Sequence, residues 1–383
     1  MVRDPALLEE CRELRRAVEP YATMAALRAA PEWPELGARL KRLLRTPRHF
    51  PAPSVPWPPR DPALVRAVHW NIEHGNEYAQ IERALLKHDA LRGADLVLLN
   101  EVDLGMARSG NRDVTADLAR ALGLYGVFAA LFLELTPGRD DDLRFAARRE
   151  NQESLFGVAV LSRWPISGAR IVDLPSPDHI QFDLERMVGR HIGLMATIER
   201  PGAPFVAVST HLEVHRTRIH RASQMRVLAG ALSGERRPVT LAGDFNSHTF
   251  DRGLWHAPLA GALALLLTPG GALKRRLLHP DQGPAREPLF DELRDARFEW
   301  APFVDHQPTL QLRFDRLDEL HALFGPAHGL ARRALAGVER RARLRLDWFA
   351  GRGWRGGRGS TVPGLDGPGR ASDHAPLVAE FRL

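Results

Sequence analysis

The chain has 383 residues, 44% hydrophobic and 26% charged, the make-up of a globular protein long enough for one large domain plus an extension. Its only cysteine, Cys11, rules out an intramolecular disulfide framework and any thiolate metal set. The net charge of +6 comes almost entirely from arginine, with lysine only at 41, 87 and 274; a GC-rich genome produces that bias through codon usage, so the charge alone does not point to nucleic acid.

In chain order, residues 1–48 read as helical. Leu7, Leu8, Cys11, Leu14 and Val18 recur at helical spacing, and Leu36, Leu40, Leu43 and Leu44 do so again after Pro34. Prolines at 51, 53, 56, 58, 59 and 62 suggest a stiff linker or surface strap. Residues 1–62 are therefore taken as a helical extension with a Pro-rich linker, and 63–383 as the main domain. Packing on that domain is preferred over a partner surface, and the sequence identifies no partner. The start of the chain contains no apolar signal core, and no window is long and apolar enough to span a bilayer, so the expected location is cytoplasmic.

Further on, Ile81–Leu91 and Thr115–Leu122 read as helices, the second with Asp113 and Thr115 as candidate caps. Ser154–Leu161 reads as a strand. Gly193–Ile198 and Pro204–Ser209 read as a hairpin around Pro201-Gly202. Thr217–Leu232 reads as a helix with Arg221 and Gln224 facing outward. Residues 249–340 are the least readable stretch; Leu263–Leu267 is too short for a span, and Leu330–Arg343 is a basic, helix-like run read as a solvated face. Gly351–Gly359 is glycine-rich and basic, carries Trp354, and reads as a flexible loop. Strands alternating with helices in two sets suit a four-layer α/β/β/α sandwich of two packed mixed sheets.

Several apolar, β-prone runs end in polar residues. Residues 66–73 end in Asn71 and Glu73, residues 94–101 in Asn100 and Glu101, and residues 205–212 contain His211. Residues 238–248 carry Asp244 and Asn246, and Asp373-His374 precede the terminal strand-like run. A buried strand reads this way when it delivers side chains to an open rim. Singly, each polar residue is an ordinary solvated strand end. Together they offer Asn71, Glu73, Glu101, Asp244, Asn246 and Asp373 as oxygen ligands, with His211 and His374. Hard oxygen donors favour Mg²⁺ or Mn²⁺ over Zn²⁺.

The order W-N-I-E, L-N-E-V-D, V-A-V-L-S-R-W-P-I, S-T-H-L-E, G-D-F-N, R-L-D-W and S-D-H-A-P resembles the endonuclease/exonuclease/phosphatase superfamily, with its DNase I-like fold, over about residues 65–383. The resemblance implies a Mg²⁺- or Mn²⁺-dependent phosphoesterase that uses an activated water. It implies Glu101 as the principal metal ligand with Asn71 beside it, Asp373 near the metal, and Asp244 positioning or deprotonating the water with help from Asn246. His374 and His211 would face the phosphate, and Asp347 would pair with His374. Glu73, taken as a further metal ligand, stands where some family nucleases carry Asp and brings a longer arm.

Arg108 and Arg112, in the loop after the Glu101 strand, are candidate phosphate clamps. The substrate would be a phosphoester, with nucleic acid first among the classes. The acidic triplet Asp140-Asp141-Asp142 is a poor lining for a DNA groove. A lipid or small-molecule phosphodiesterase or phosphatase is the alternative reading. A non-catalytic binding module would be marked by loss of Glu101, Asp244 or His374, and all three are present.

Overall fold

The computed structural model describes residues 4–52, 59, 61–138, 141–252, 267–311, 342–367 and 369–383. Most of the proline strap, residues 263–266 of the Leu263–Leu267 run and residues 330–341 of the basic run lie outside the described residues. Period-two burial along the strands builds the layers. In β2 (Leu64–Asn71), Val65 and Ala67 join the core between two sheets, while Val68 and Trp70 join an outer core. In β3 (Leu96–Leu104), Leu96 and Leu98 point inward and Val97 and Leu99 outward. Both faces are apolar, which is why these runs read as continuous rather than alternating.

Among the described residues, eight strands form the first sheet. Its order is β1 (Arg48–Phe50), β4 (Tyr125–Glu134), β5 (Leu155–Ser162), β3, β2, β15 (Leu377–Arg382) and β14 (Gly357–Thr361), with β7 (Met187–Gly189) paired to β4. The second sheet runs β13 (Asp347–Arg352), β10 (Val239–Asp244), β9 (Phe205–His211), β8 (Ile192–Ile198) and β6 (Ile166–Asp173). Two short strands, β11 (Leu310–Gln311) and β12 (Arg343–Leu344), pair separately. The inner faces of the two large sheets meet through Leu98, Val158, Leu194, Phe205, Ala242 and Phe349, among others. Helices cover the outer faces, completing the four layers.

The N-terminal segment forms α1 (Pro5–Val18), α2 (Met24–Ala29) and α3 (Trp33–Arg45). Cys11, Leu14, Val18, Leu36, Leu40 and Leu44 share one core with Phe128, Leu133 and Leu155 of the first sheet. β1 then adds an antiparallel edge strand to β4. Helices α4 (Tyr78–Lys87) and α5 (Val114–Leu122) cover the same face. Asp113 caps α5, its side chain accepting from the Ala116 N–H at 3.0 Å. The helices Arg218–Ala231 and Leu289–Asp295 cover the second sheet. Among the described residues, no helix is long and apolar enough to cross a membrane.

Two expectations fail here. Arg221 and Gln224 do not face outward; both are fully buried. The Arg221 guanidinium pairs with Glu287 at 2.7 Å and donates to the Phe250 carbonyl, while Gln224 accepts from the Glu213 N–H at 2.9 Å and donates to the Pro175 carbonyl. These polar ends satisfy loop backbone behind the helix, a demand that helical spacing does not reveal. Gly351–Gly359 is not a flexible loop, since it closes β13, turns, and opens β14. Trp354 packs against Phe205 and Phe381 and donates to the Val239 carbonyl at 3.0 Å, so its ring is spent on the core.

Candidate active site

Register assembles the site. β10 pairs parallel with β9 and antiparallel with β13, which sets Asp244 beside His211 on one side and Asp347 on the other. Gly243 permits this approach, because a Cβ there would lie 1.9 Å from the Thr210 carbonyl oxygen. In the first sheet, Asn71 and Asn100 are register partners at the same rim. Asn100 bridges the two sheets: its Oδ1 accepts from the Asp244 N–H at 2.7 Å, and its Nδ2 donates to Ser209 Oγ at 3.2 Å. Glu101 follows at a register shift between β3 and β5, with φ +50. A bulge of this kind re-aims one side chain out of the strand's alternation.

Asn71 Nδ2 donates to Glu101 Oε1 at 2.8 Å and to Asp244 Oδ2 at 3.2 Å, joining the carboxylates of the two sheets. His211 Nε2 lies 3.6 Å and His374 Nε2 3.8 Å from Asp244 Oδ2. Asp347 sits behind His374, its Oδ2 2.7 Å from His374 Nδ1. Its other oxygen meets His69 Nε2 at 3.0 Å. The loop carrying His374 is tied to β2: Trp70 Nε1 donates to the His374 carbonyl at 2.8 Å, and Ser372 Oγ donates to the Asn71 carbonyl at 2.7 Å.

Asn246, at φ +48, donates its backbone N–H to Asp244 Oδ1 at 2.9 Å and its side-chain amide to the Leu212 carbonyl at 2.8 Å. Glu73 and His74 also lie at positive φ, +44 and +66. Left-handed non-glycine residues cost roughly 1–3 kcal/mol each and persist where surrounding contacts over-determine them. Four of them at one rim mark it as a built site.

Charge states follow from the contacts. Burial opposes a charge on His374, but the Asp347 carboxylate and its hydrogen bond outweigh it and hold the imidazole well above its ordinary pKa. Burial likewise opposes charge on Asp347, yet His374 and the bonds from His374 and His69 hold it well below the usual carboxylate range. His211 is lowered, chiefly by burial. Burial, and next the Asp373 charge, push Glu101 up to about 8. The rim is therefore over-supplied with anionic oxygen, and a bound cation would relieve this crowding. Ligand atoms of Glu101, His211 and Asp244 lie within 4.8 Å of one another, as do those of Asp244, Asp347 and His374. This donor set fits a divalent ion held by Glu101 and Asp244, with the Asn71 amide oriented beside them.

The structure thus gathers Asn71, Glu101, His211, Asp244, Asn246, Asp347 and His374. Asp373 adjoins through its charge on Glu101 and His374. Glu73 lies in the turn after β2, its backbone N–H donating to Asn71 Oδ1 at 3.2 Å. The two arginines behave differently. Arg108 is buried; its Nε and Nη2 hold Asp103 at 2.9 Å, and its Nη atoms hold Glu134 at 2.6 and 3.2 Å and Asp142 at 3.3 Å. All five of its N–H groups are committed, so no donor remains for the expected phosphate clamp. Arg112, about half exposed, pairs with Asp117 at 3.2 Å and lies over the Tyr78 ring.

Sequence reasoning assigned no role to His69, His74 or Asn100. His69 had a readable signal, since it stands two residues before Asn71 on one strand and so shares its face. His74, 3.5 Å from Glu101 and 3.8 Å from Asp103, had none, because a left-handed turn places it.

Residues 68–374 match the model of the endonuclease/exonuclease/phosphatase family. No curated protein sequence matches the chain. Among solved structures, the chain is similar to an endonuclease/exonuclease/phosphatase from Beutenbergia cavernae, at 18% identity over 84% of this chain and 72% of that one, with a TM-score of 0.48. It is also similar to the human Nocturnin catalytic domain with bound sulfate, at 15% identity over 89% and 98%, TM-score 0.46. A third is sphingomyelinase C from Streptomyces griseocarneus, at 15% identity over 83% and 99%, TM-score 0.45. At these levels the likeness is one of fold.

Proposed function

The chain belongs to the endonuclease/exonuclease/phosphatase family, and from that premise we propose that it is a divalent-metal-dependent hydrolase that cleaves a phosphodiester by activated-water attack. The observation that carries the reading is the linked set Asp347–His374–Asp244–Asn71–Glu101, in which one imidazole is held cationic beside a carboxylate that faces the same rim. Asp244 orients the attacking water and takes its proton. Asn246 fixes that carboxylate through its N–H. His374 presents Nε2–H to a non-bridging phosphoryl oxygen, with its tautomer and charge set by Asp347. His211, held low, serves as a neutral hydrogen-bonding group to the phosphate. A Mg²⁺ or Mn²⁺ ion bound at Glu101 and Asp244, with Asn71, and with Glu73 or Asp373 completing the set, would supply Lewis-acid neutralisation of the developing charge.

Nucleic acid is the first substrate class to test. A lipid or small phosphodiester is the second, favoured by one observation: every N–H group of Arg108 is committed to carboxylates, leaving it unable to track a polyanionic backbone. The deciding experiment is hydrolysis of single- and double-stranded DNA, RNA, sphingomyelin, inositol phosphates and bis-p-nitrophenyl phosphate, with Mg²⁺ or Mn²⁺ against EDTA, using wild type beside Asp244→Asn. Metal-dependent cleavage of one class, lost in the mutant, supports the reading. Silence across the panel counts against it and favours a binding role. Glu101→Gln should raise the Mg²⁺ concentration needed for half-maximal rate, and an unchanged metal titration would remove Glu101 from the ligand set.

A further inference from the structure

A second cluster of metal-ligating side chains lies outside the rim. The helix Gly270–Leu278 ends at His279, Asp281 follows in the next turn, and His306 approaches from the segment before β11. Ligand atoms of these three lie within 4.8 Å of one another. The two imidazoles stack with centroids 4.0 Å apart and planes 29° from parallel. His306 Nδ1 is 3.1 Å from the Leu278 carbonyl oxygen. A carbonyl only accepts, so Nδ1 carries the proton and Nε2 keeps its lone pair. His306 is also held at φ +53.

Asp281 supplies the independent observation. It is only 8% exposed, and its Oδ2 accepts from Trp300 Nε1 at 3.1 Å and from Gln282 Nε2 at 3.4 Å. Among the described residues its Oδ1 is buried with no hydrogen-bond partner, 3.9 Å from His306 Nδ1. A buried carboxylate oxygen without a donor is costly, and a cation between it and the imidazoles removes that cost.

We propose that His279, Asp281 and His306 form a second metal site for a borderline transition cation of the zinc class, sharing no residue with the Glu101–Asp244 centre. Two imidazole nitrogens and one carboxylate oxygen match the three-ligand set that leaves a fourth position to water. Mg²⁺ and Ca²⁺ prefer a larger, all-oxygen shell, so the two centres discriminate by donor type. To share one ion both stacked rings must turn, His306 so that Nε2 replaces the protonated Nδ1 facing Asp281, and both rings are partly exposed and have room to do so.

The segment this ion would pin runs directly behind the reactive pair. Asp305 holds Arg345 at 2.8 Å and accepts from the Thr361 N–H at 2.7 Å. Thr309 Oγ1 accepts from the Asp347 N–H at 3.3 Å, and the Thr309 carbonyl accepts from the Ala375 N–H at 2.8 Å. The ion would therefore act as a structural staple for the backbone that seats Asp347 and His374.

The proposal does not rest on the hydrolytic reading, and its test is kept apart from it. The full-length chain carrying Glu101→Gln and Asp244→Asn, stripped with chelator, would be titrated with Zn²⁺ by calorimetry and followed by thermal unfolding. About one equivalent should bind and raise Tm. Both effects should be absent in the same chain with His279→Ala or, separately, His306→Gln. His279→Ala is the decisive variant because its side chain is partly exposed, and an unchanged unfolding transition without zinc verifies that it folds. Equal zinc uptake in the His279→Ala chain, or no uptake in the parent, would overturn the proposal.

Discussion

Asp347 places one imidazole on each of its oxygens, and this sets the charge facing Asp244. His374 is raised and Asp347 lowered relative to their ordinary values. The stability contributed by the raised histidine is present below pH about 6.5 and is lost as pH rises through its folded value. That contributed by the lowered carboxylate is present above pH about 3.9 and is lost as pH falls through its folded value. The pair is thus intact across neutral pH. Asp347→Ala should move the alkaline limb of the pH–rate profile to lower pH, and an unmoved limb would separate Asp347 from His374 function. Asp244→Asn and His374→Ala should each lower kcat by about 10²–10⁴-fold in steady-state kinetics, and His374→Ala should also lower Tm, because it strips the buried Asp347 carboxylate of its 2.7 Å partner. Near-wild-type turnover in either variant removes that residue from the chemistry.

At the scale of elements, β3 carries two kinds of acidic residue. Glu101 is turned to the rim by the bulge, whereas Asp103 is turned inward to Arg108, Glu134 and Asp142. Burial, opposed by Arg108, raises Asp103 to about 6 and Glu134 to about 7. Arg108 therefore holds two carboxylates that would be difficult to keep ionised without it. Arg108→Ala should cost about 3–5 kcal/mol in urea unfolding near pH 8. The loss should be smaller at pH 5, where the orphaned carboxyls take up protons. A pH-independent loss would argue that the side chain acts through packing alone. The inference from loop position to phosphate clamp failed here because proximity in sequence says nothing about which anion reaches a guanidinium first.

At the scale of the molecule, the N-terminal helices lie in the same apolar core as the outer face of the first sheet. Cys11, Leu14 and Val18 of α1 are fully buried there, and burial pushes the Cys11 thiol up to about 12. Removing residues 1–47 would uncover Phe128, Leu133 and Leu155 on the outer face of the first sheet. The truncated chain should aggregate or unfold at markedly lower temperature than the full chain, measured by light scattering and thermal unfolding. A soluble, equally stable truncation would identify residues 1–47 as a separable module.

The sequence by itself determined the layered architecture and most of the polar set that the structure gathers at the rim. Apolar runs buried on both faces announce strands, and the polar residues at their ends need only a rim to meet, so Asn71, Glu101, His211, Asp244 and His374 were legible before any packing was known, and Asp347 through the family resemblance alone. Tertiary structure decided what depends on partners distant in the chain. It gave Asp347 its second imidazole from His69, 278 positions away. It committed Arg108 to Glu134, drew Arg221 inward to Glu287, folded Trp354 into the core, and brought His306 onto His279. Local sequence fixes periodicity and side-chain chemistry, whereas a charged or aromatic group takes its role from whichever complementary group the fold presses against it.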